Sequence, residues 1–184
     1  MLEHDFAEPD NARNNLKSLP YVEGVASIRG SMTWFGNREV TDEGGKVLFT
    51  PRCAAFDKDF VPLLGLHIKT GRNFTGERQF LVNQPYVEKM GWKGSGVGEI
   101  VPNRGTVVGV LAPFCCGVLP ADNEPLEIEY GTNLRNVHVR LKEPFTENLH
   151  RLNNEMKKIY PQEDIEFRSL DQDLERYYRP TIIF

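Results

Sequence analysis

The run NVHVRLK (136–142) alternates, with Val137, Val139 and Leu141 apolar and His138, Arg140 and Lys142 polar. A period of two predicts a strand with one buried and one wet face, and it puts His138 on the wet side. Pro144 opens the next segment, in which Phe145, Leu149, Leu152, Met156 and Ile159 share one helical face before Pro161 stops it. DIEFRSL then returns as a strand with Ile165 and Phe167 on one side. Residues 134–184 thus read strand, helix, strand.

Residues 1–55 carry a similar pattern. Ala12, Leu16 and Leu19 recur at helical spacing over Pro9–Leu19, Pro20 ends that helix, and YVEGVASIRG reads as a strand. A Gly-Gly turn in TDEGGKV joins two more strand candidates, MTWFGNREV and KVLFTPRCAAF. LKSLPYVEGVASIRG and MKKIYPQEDIEFRSL echo one another, each a helix end, a proline, an acidic residue and a strand. The echo predicts two similar α/β units packed as one lobe from 1–55 and 134–184. Residues 56–133 have a different texture: most of the 16 glycines, short strands and a short helix near Pro85–Met90. They are expected to form an inserted, mainly-β second lobe. Its strongest strand, GTVVGVLAPF, is apolar without a break, which predicts burial on both faces, and Gly109 inside it marks a bulge or a close backbone approach. The fold class expected is α+β.

Composition narrows the partners. At 184 residues, 40% hydrophobic and 26% charged, the balance is that of a globular chain. A net charge of −4 and dispersed basic residues argue against nucleic acid, which needs clustered Lys and Arg. No apolar run approaches the roughly 18–20 residues of a membrane-spanning helix, and MLEHDFAEPDNARNN is charged where a signal peptide would be apolar. Cys53, Cys115 and Cys116 leave two readings open: a bridge from Cys53 to one of the neighbouring pair in an oxidising compartment, or three small apolar side chains.

The candidate chemistry is mostly negative. KGSGVG (93–98) lacks the order and the Lys-Ser/Thr of a phosphate loop and reads as a turn. DQDLERYYRPTI (171–182) begins like a calcium loop, but Arg176 and Ile182 stand where glycine and glutamate are needed; it reads as the acidic first turn of a helix. His4, His67, His138 and His150 show no metal-ligand spacing and read as surface or boundary residues. Glu127 and Glu129 project from one strand face, read as solvated. No catalytic, cofactor-binding or metal residue and no cofactor is nominated. A triad scattered through the fold would leave no trace in the sequence, so a hydrolase stays a third reading.

An ordered set of segments carries a resemblance. DKDFVPLLGLHIKTGRNF, FLVNQPYVEKMGW and GVGEIVPNRGTVVGVLAPF resemble the extracytoplasmic domain of MacB/FtsX-type ABC transporter permeases, in particular Bacteroidetes-like ones. The matching positions are Phe60, Leu64, Gly65, Gly71, Arg72, Phe74, Asn83, Met90, Gly91, Trp92, Gly98, Ile100, Val107 to Val110 and Phe114. LPYVEGVASI and FRSLDQDLERYY resemble the family's opening and closing segments, so the likeness runs from about residue 15 to 178. Cys115-Cys116 after Phe114, and Pro180, depart from the family pattern.

The resemblance implies a porter-like α+β lobe with a second lobe inserted, hung outside the cytoplasmic membrane between two membrane helices. YYRPTIIF would be the entry to the second. It also implies a non-enzymatic role, coupling ATP hydrolysis on a cytoplasmic ATPase subunit to a periplasmic adaptor, lipoprotein, enzyme or substrate, with the permease acting as a dimer. Within LLGLHIKTGRNF, Gly65 and Gly71 are expected at positive φ, Leu64, Leu66 and Phe74 as anchors, and Arg72 tying carbonyls or a carboxylate. The alternative is a free-standing exported lipid- or peptide-binding module.

Overall fold

A computed structural model describes residues 2–30, 35–113, 123–162 and 165–169. The first part of the chain holds β1 (Leu2–Asp5), α1 (Pro9–Lys17), β2 (Val22–Arg29), β3 (Gly36–Asn37), β4 (Val40–Thr41), β5 (Val47–Phe49) and β6 (Arg52–Phe56). Then follow α2 (Phe60–Leu64), β7 (Ile68–Gly71), β8 (Gln79–Asn83), α3 (Gln84–Lys89), β9 (Ile100–Val101), β10 (Gly105–Leu111) and β11 (Leu126–Tyr130). The last elements are β12 (Asn136–Leu141), α4 (Phe145–Ile159) and β13 (Arg168–Ser169). Eleven of these strands form one mixed sheet along the path β13-β1-β12-β2-β6-β11-β8-β10-β7, with β3 beside β6 and β9 beside β10. The fold is α+β, as the patterning predicts.

The sequence echo has a structural counterpart. β1 is antiparallel to both β12 and β13, and β12 is antiparallel to β2. Therefore β1 and β2 run parallel with β12 between them, and β12 and β13 run parallel with β1 between them. The units β1–α1–β2 and β12–α4–β13 are two interleaved split βαβ crossovers. Their helices cover one face: Ala12 and Leu16 of α1 and Leu152 and Met156 of α4 pack with Val25, Val137 and Val139.

α4 starts where Pro144 predicts. Glu143 accepts the Phe145 N–H at 2.9 Å, and the Asn148 side-chain amide donates to the Lys142 carbonyl at 2.9 Å. One predicted face residue departs: Ile159 is 45% exposed. It stands in the last turn, and Tyr160 one residue on takes the contact with the Phe6 ring, 5.7 Å between centroids.

His138 is a second departure, fully buried rather than wet. The sequence alternation shows two faces but not what covers them. α2, which the patterning does not reveal, lies on the other side of β12 and β2. Phe60 meets the His138 ring edge-on at 5.1 Å, and the Arg140 guanidinium donates to the Leu63 carbonyl. α2 has a local cause in Asp-Phe-Val-Pro-Leu-Leu-Gly: Pro62 occupies the first turn, where an N–H has no intrahelical partner, and Gly65 ends the helix at φ 68°.

Three strand candidates are shorter than predicted among the described residues. KVLFTPRCAAF divides into β5 and β6 at Thr50-Pro51, where proline removes a ladder donor. Of MTWFGNREV, the described part holds only β3 and β4, and β4 pairs with β5 around the predicted Gly-Gly turn. In DIEFRSL the described strand is Arg168–Ser169, while Ile165 and Phe167 are buried together as expected.

The remaining core has two parts. Ala26, Ile28, Phe56, Leu81, Leu126 and Ile128 pack with α2 on the face opposite α1 and α4. Phe80, Val82, Val107 and Val110 pack under α3 and the β4–β5 hairpin. β10, which feeds both, is buried throughout except at Thr106. Gly109 does what its position predicts: the β8 register shifts there, and a Cβ would lie 2.6 Å from the Arg72 carbonyl oxygen. Its ladder partner Gly71, at φ 86°, has even less room, since a Cβ there would stand 2.3 Å from the Val108 carbonyl oxygen.

Gly71→Ala is therefore expected to cost more than about 2 kcal/mol, from positive-φ strain plus backbone overlap, measured by urea unfolding. Burial holds the His138 imidazole down at about 3. Its unfolded value is near 6.5, so the neutral ring's contribution is complete above that pH and is lost as pH falls toward 3. The loss is about 1.4 kcal/mol per pH unit. His138→Leu should flatten the stability–pH curve between those values in denaturation series, and equal slopes would contradict it.

Candidate functional site

The GLHIKTGRNF segment is a braced turn. Arg72 Nη1 donates to the Asn73 carbonyl at 3.0 Å and to Thr75 Oγ1 at 2.9 Å, while Gln79 Oε1 accepts the Thr75 N–H at 2.8 Å. Asn73 reaches back to the Lys58 carbonyl at 2.8 Å, and Phe74 is buried beside Tyr130. Leu64 and Leu66 are half-buried against the same cluster. Gly65 and Gly71 both have positive φ. Leu64, Gly65, Leu66, Gly71, Arg72 and Phe74 each have a local structural job, as the sequence predicts.

The other candidates scatter. Gly94, Gly96 and Gly98 all take positive φ in the loop after α3, consistent with a turn. Gly96 packs against Val87, where a Cβ would approach within 2.8 Å. His67, in the connection between α2 and β7, and His150, on α4, are both exposed. His4 is in β1 opposite Val137. Cys115, Cys116 and the 171–182 segment lie outside the described residues. Among the described residues no group of three or more His, Cys, Asp and Glu is placed to hold a metal ion.

Glu127 and Glu129 are brought into a constellation that the sequence reading missed. Glu127 is 1% exposed rather than solvated. Both of its oxygens accept from the Arg104 guanidinium, with the Nη1–Oε2 bond at 2.9 Å, and Arg104 also lies 4.9 Å above the Phe80 ring. Its strand register explains the burial: Glu127 stands between Cys53 and Val82, at the margin of the apolar cluster under α3. Glu129, two residues on, is held by Arg38 at 2.9 Å and Arg29 at 3.1 Å. Arg29 and Glu129 both stand opposite Ala55, whose small side chain lets the two long ones meet above β6.

These side chains line a cavity of about 160 Å³, bounded by Arg29, Arg38, Cys53, Ala55, Glu127 and Glu129. Burial disfavours the Glu129 charge, but the Arg38 and Arg29 guanidiniums outweigh it and hold the carboxyl below its usual range. Burial pushes the Cys53 thiol up, so the thiol form is favoured there over the nucleophilic thiolate. The chemistry on offer is ionic cross-bracing. Both Glu127 and Glu129 are engaged by guanidiniums.

A second ionic cluster stands at the other end of β6. The Asp57 N–H donates to the Ser27 carbonyl at 3.0 Å, and Asp57 Oδ2 accepts the Ser27 N–H at 2.7 Å. Arg13 of α1 bridges Asp57 at 2.9 Å and Asp59 at 3.0 Å, and Lys17 reaches Asp59 at 2.9 Å. Burial raises the Asp57 carboxyl despite Arg13. The nearest sequence signal for this cluster is Asp57-Lys58-Asp59 before an apolar run, which fits a helix start.

The fold has counterparts among solved structures. No protein-family model matches the chain, and no curated protein matches it in sequence. Among solved structures, the chain is similar to the periplasmic region of MacB from Actinobacillus actinomycetemcomitans. That match has a TM-score of 0.66 and 13% identity over 96% of this chain and 85% of that one. It is also similar to the extracellular domain of the noncanonic ABC-type transporter YknZ from Gram-positive bacteria, at a TM-score of 0.64 and 15% identity over 92% of this chain and 99% of that one. A domain of a Porphyromonas gingivalis protein matches at a TM-score of 0.59 and 18% identity, over 91% of this chain and 85% of the other. The fold is that of MacB-type periplasmic domains. No helix among the described residues is long and apolar enough to cross a membrane.

Removing one partner of the buried pair leaves the other charge uncompensated. Glu127→Ala should lower stability by about 3–5 kcal/mol in chemical denaturation, and the double change Arg104→Met with Glu127→Leu should recover most of it.

Proposed function

We propose that this chain is the non-catalytic periplasmic domain of a MacB/FtsX-like ABC transporter permease, passing conformational change driven by cytoplasmic ATP hydrolysis to exported partners. The observation that carries the reading is the fold shared with the MacB and YknZ domains over 96% and 92% of the chain. The warrant is one of fold. In this reading residues 1–55 and 134–184 form the porter-like lobe and 56–133 the inserted lobe. The inner partner is an ATPase subunit reached through membrane helices, and the outer partner is an adaptor, a lipoprotein or the substrate. The permease works as a dimer.

The geometry supports a mechanical role in two ways. β1 and β13 lie side by side, with Leu2 opposite Ser169 and Glu3 opposite Arg168, so a force along either strand enters at one edge of the sheet. From that edge the hydrogen-bonded path runs through nine strands to β7. On either side of the β2–β6 link such a ladder transmits displacement with little internal loss, because packed interiors are not continuously deformable.

The test is made in the reconstituted permease with its ATPase. Spin labels on α4 of the two copies should report distances that change between the nucleotide-free and ATP-bound states, and the isolated domain should turn over nothing. Distances indifferent to nucleotide, or turnover by the isolated chain, would sink the reading.

A further inference from the structure

Between its interior strands the described sheet is narrowest at one pairing. β2 pairs with β12 over six residues and β6 with β11 over five, but β2 meets β6 only at Ile28–Phe56 and Arg29–Ala55. β2 then ends at Gly30, φ 91°, and β3 takes over the same edge of β6 for two residues, Gly36–Cys53 and Asn37–Arg52. The two faces of this neck differ. On one, Ala26, Ile28, Phe56, Ile128 and the α2 side chains form unbroken apolar packing across it. On the other, the apolar clusters under α1/α4 and under α3 are separate, and the 160 Å³ cavity with its ionic lining lies over β6.

We infer that the β2–β6 neck is a hinge, with α2 and the Asp57 cluster as its pivot and the Arg29–Glu129 ion pair as a releasable latch across its open side. The inference rests on the mechanical reading above. The pivot is firm because it is doubly tied: Asp57 bonds both backbone groups of Ser27, and Arg13 and Lys17 clamp the start of α2 to α1. The latch is weaker. Arg29 is 64% exposed, so the pair biases a closed–open equilibrium by roughly fivefold at most. Opening would separate residues on β2 from β11 while the apolar face stays packed. The half-exposed latch also makes the equilibrium salt-sensitive, since the screening length falls from about 10 Å at 0.1 M to about 3 Å at 1 M salt.

The experiment measures distances by pulsed electron spin resonance in this chain. Nitroxides are attached through a genetically encoded ketone residue at two exposed helix positions, Glu88 on α3 and Lys157 on α4, which leaves Cys53 untouched. Wild type should give one dominant distance at about 0.1 M NaCl and gain a second population at about 1 M. Glu129→Gln should raise that second population by up to roughly fivefold at low salt, the factor one such pair is worth, and should abolish its salt dependence. Should Glu129→Gln fail to fold, Arg29→Gln removes the same pair and must shift the distribution in the same direction. A distribution identical in wild type and variant, or one that salt broadens equally in both, overturns the hinge. A chain that stays rigid still serves as a single lever, so that result leaves the proposed function standing. Nucleotide-independent distances in the assembled permease would do the reverse.

Discussion

The central residues of β2 and β12, Val25 to Ile28 and Val137 to Val139, are sealed from water on both faces, and this double cover sets the positions around them. Val25, Val137 and Val139 need α1 and α4, and the split βαβ connections deliver both helices to the same side. Ala26, Ile28 and His138 need a second cover, which is too far from either crossover helix to come from them. α2 supplies it, although it has only five residues, because Gly24 leaves a place for Leu63: a Cβ there would lie 2.7 Å from the Leu63 Cδ1. A neutral imidazole is tolerated in this layer because Phe60 meets it edge-on, an arrangement that suits the quadrupole of an aromatic ring.

A five-residue helix does not hold itself in place. Isolated helices of that length are far below the size at which hydrogen bonding offsets nucleation. The Asp57–Ser27 backbone pairing fixes where the helix begins, and Arg13 and Lys17 fix its direction relative to α1. The charged cluster and the apolar layer are thus one device. The apolar face gives the favourable free energy, and the ion pairs specify the position at which it is gained.

The parts that were legible in the sequence are those whose cause is local. Alternation in NVHVRLK, helical spacing after Pro144 and the proline stops all act through neighbours a few residues away, so period and residue type expose them. Arg72 belongs to this group, since every group it braces lies within seven residues. His138 and Glu127 do not. Their environments are set by Phe60, 78 positions away in the chain, and by Arg104, 23 away, and a polar residue alternating with apolar ones reads as wet until a second layer is known. Glu129 is the same case at greater range, with Arg38 91 residues distant. The ionic seam could not be read because each of its members, taken one at a time, looks like an ordinary surface charge.

The uneven distribution of charge across the sheet also follows from the small residues of β6. Arg-Cys-Ala-Ala-Phe puts Ala54 and Phe56 toward the apolar face and Cys53 and Ala55 toward the other. A large side chain at position 55 would fill the space through which Arg29 and Glu129 meet, and would join the α1/α4 cluster to the α3 cluster across the middle of the sheet. With alanine there, the two clusters stay separate and the charges close the surface above β6. One side of the domain is therefore held by packing that is lost only with the fold. Over the neck the other is held by an exposed ion pair of about the thermal energy, which can open without it. A sheet built this way is stiff along its strands and compliant about one line, and the compliance comes from the choice of alanine over a larger residue.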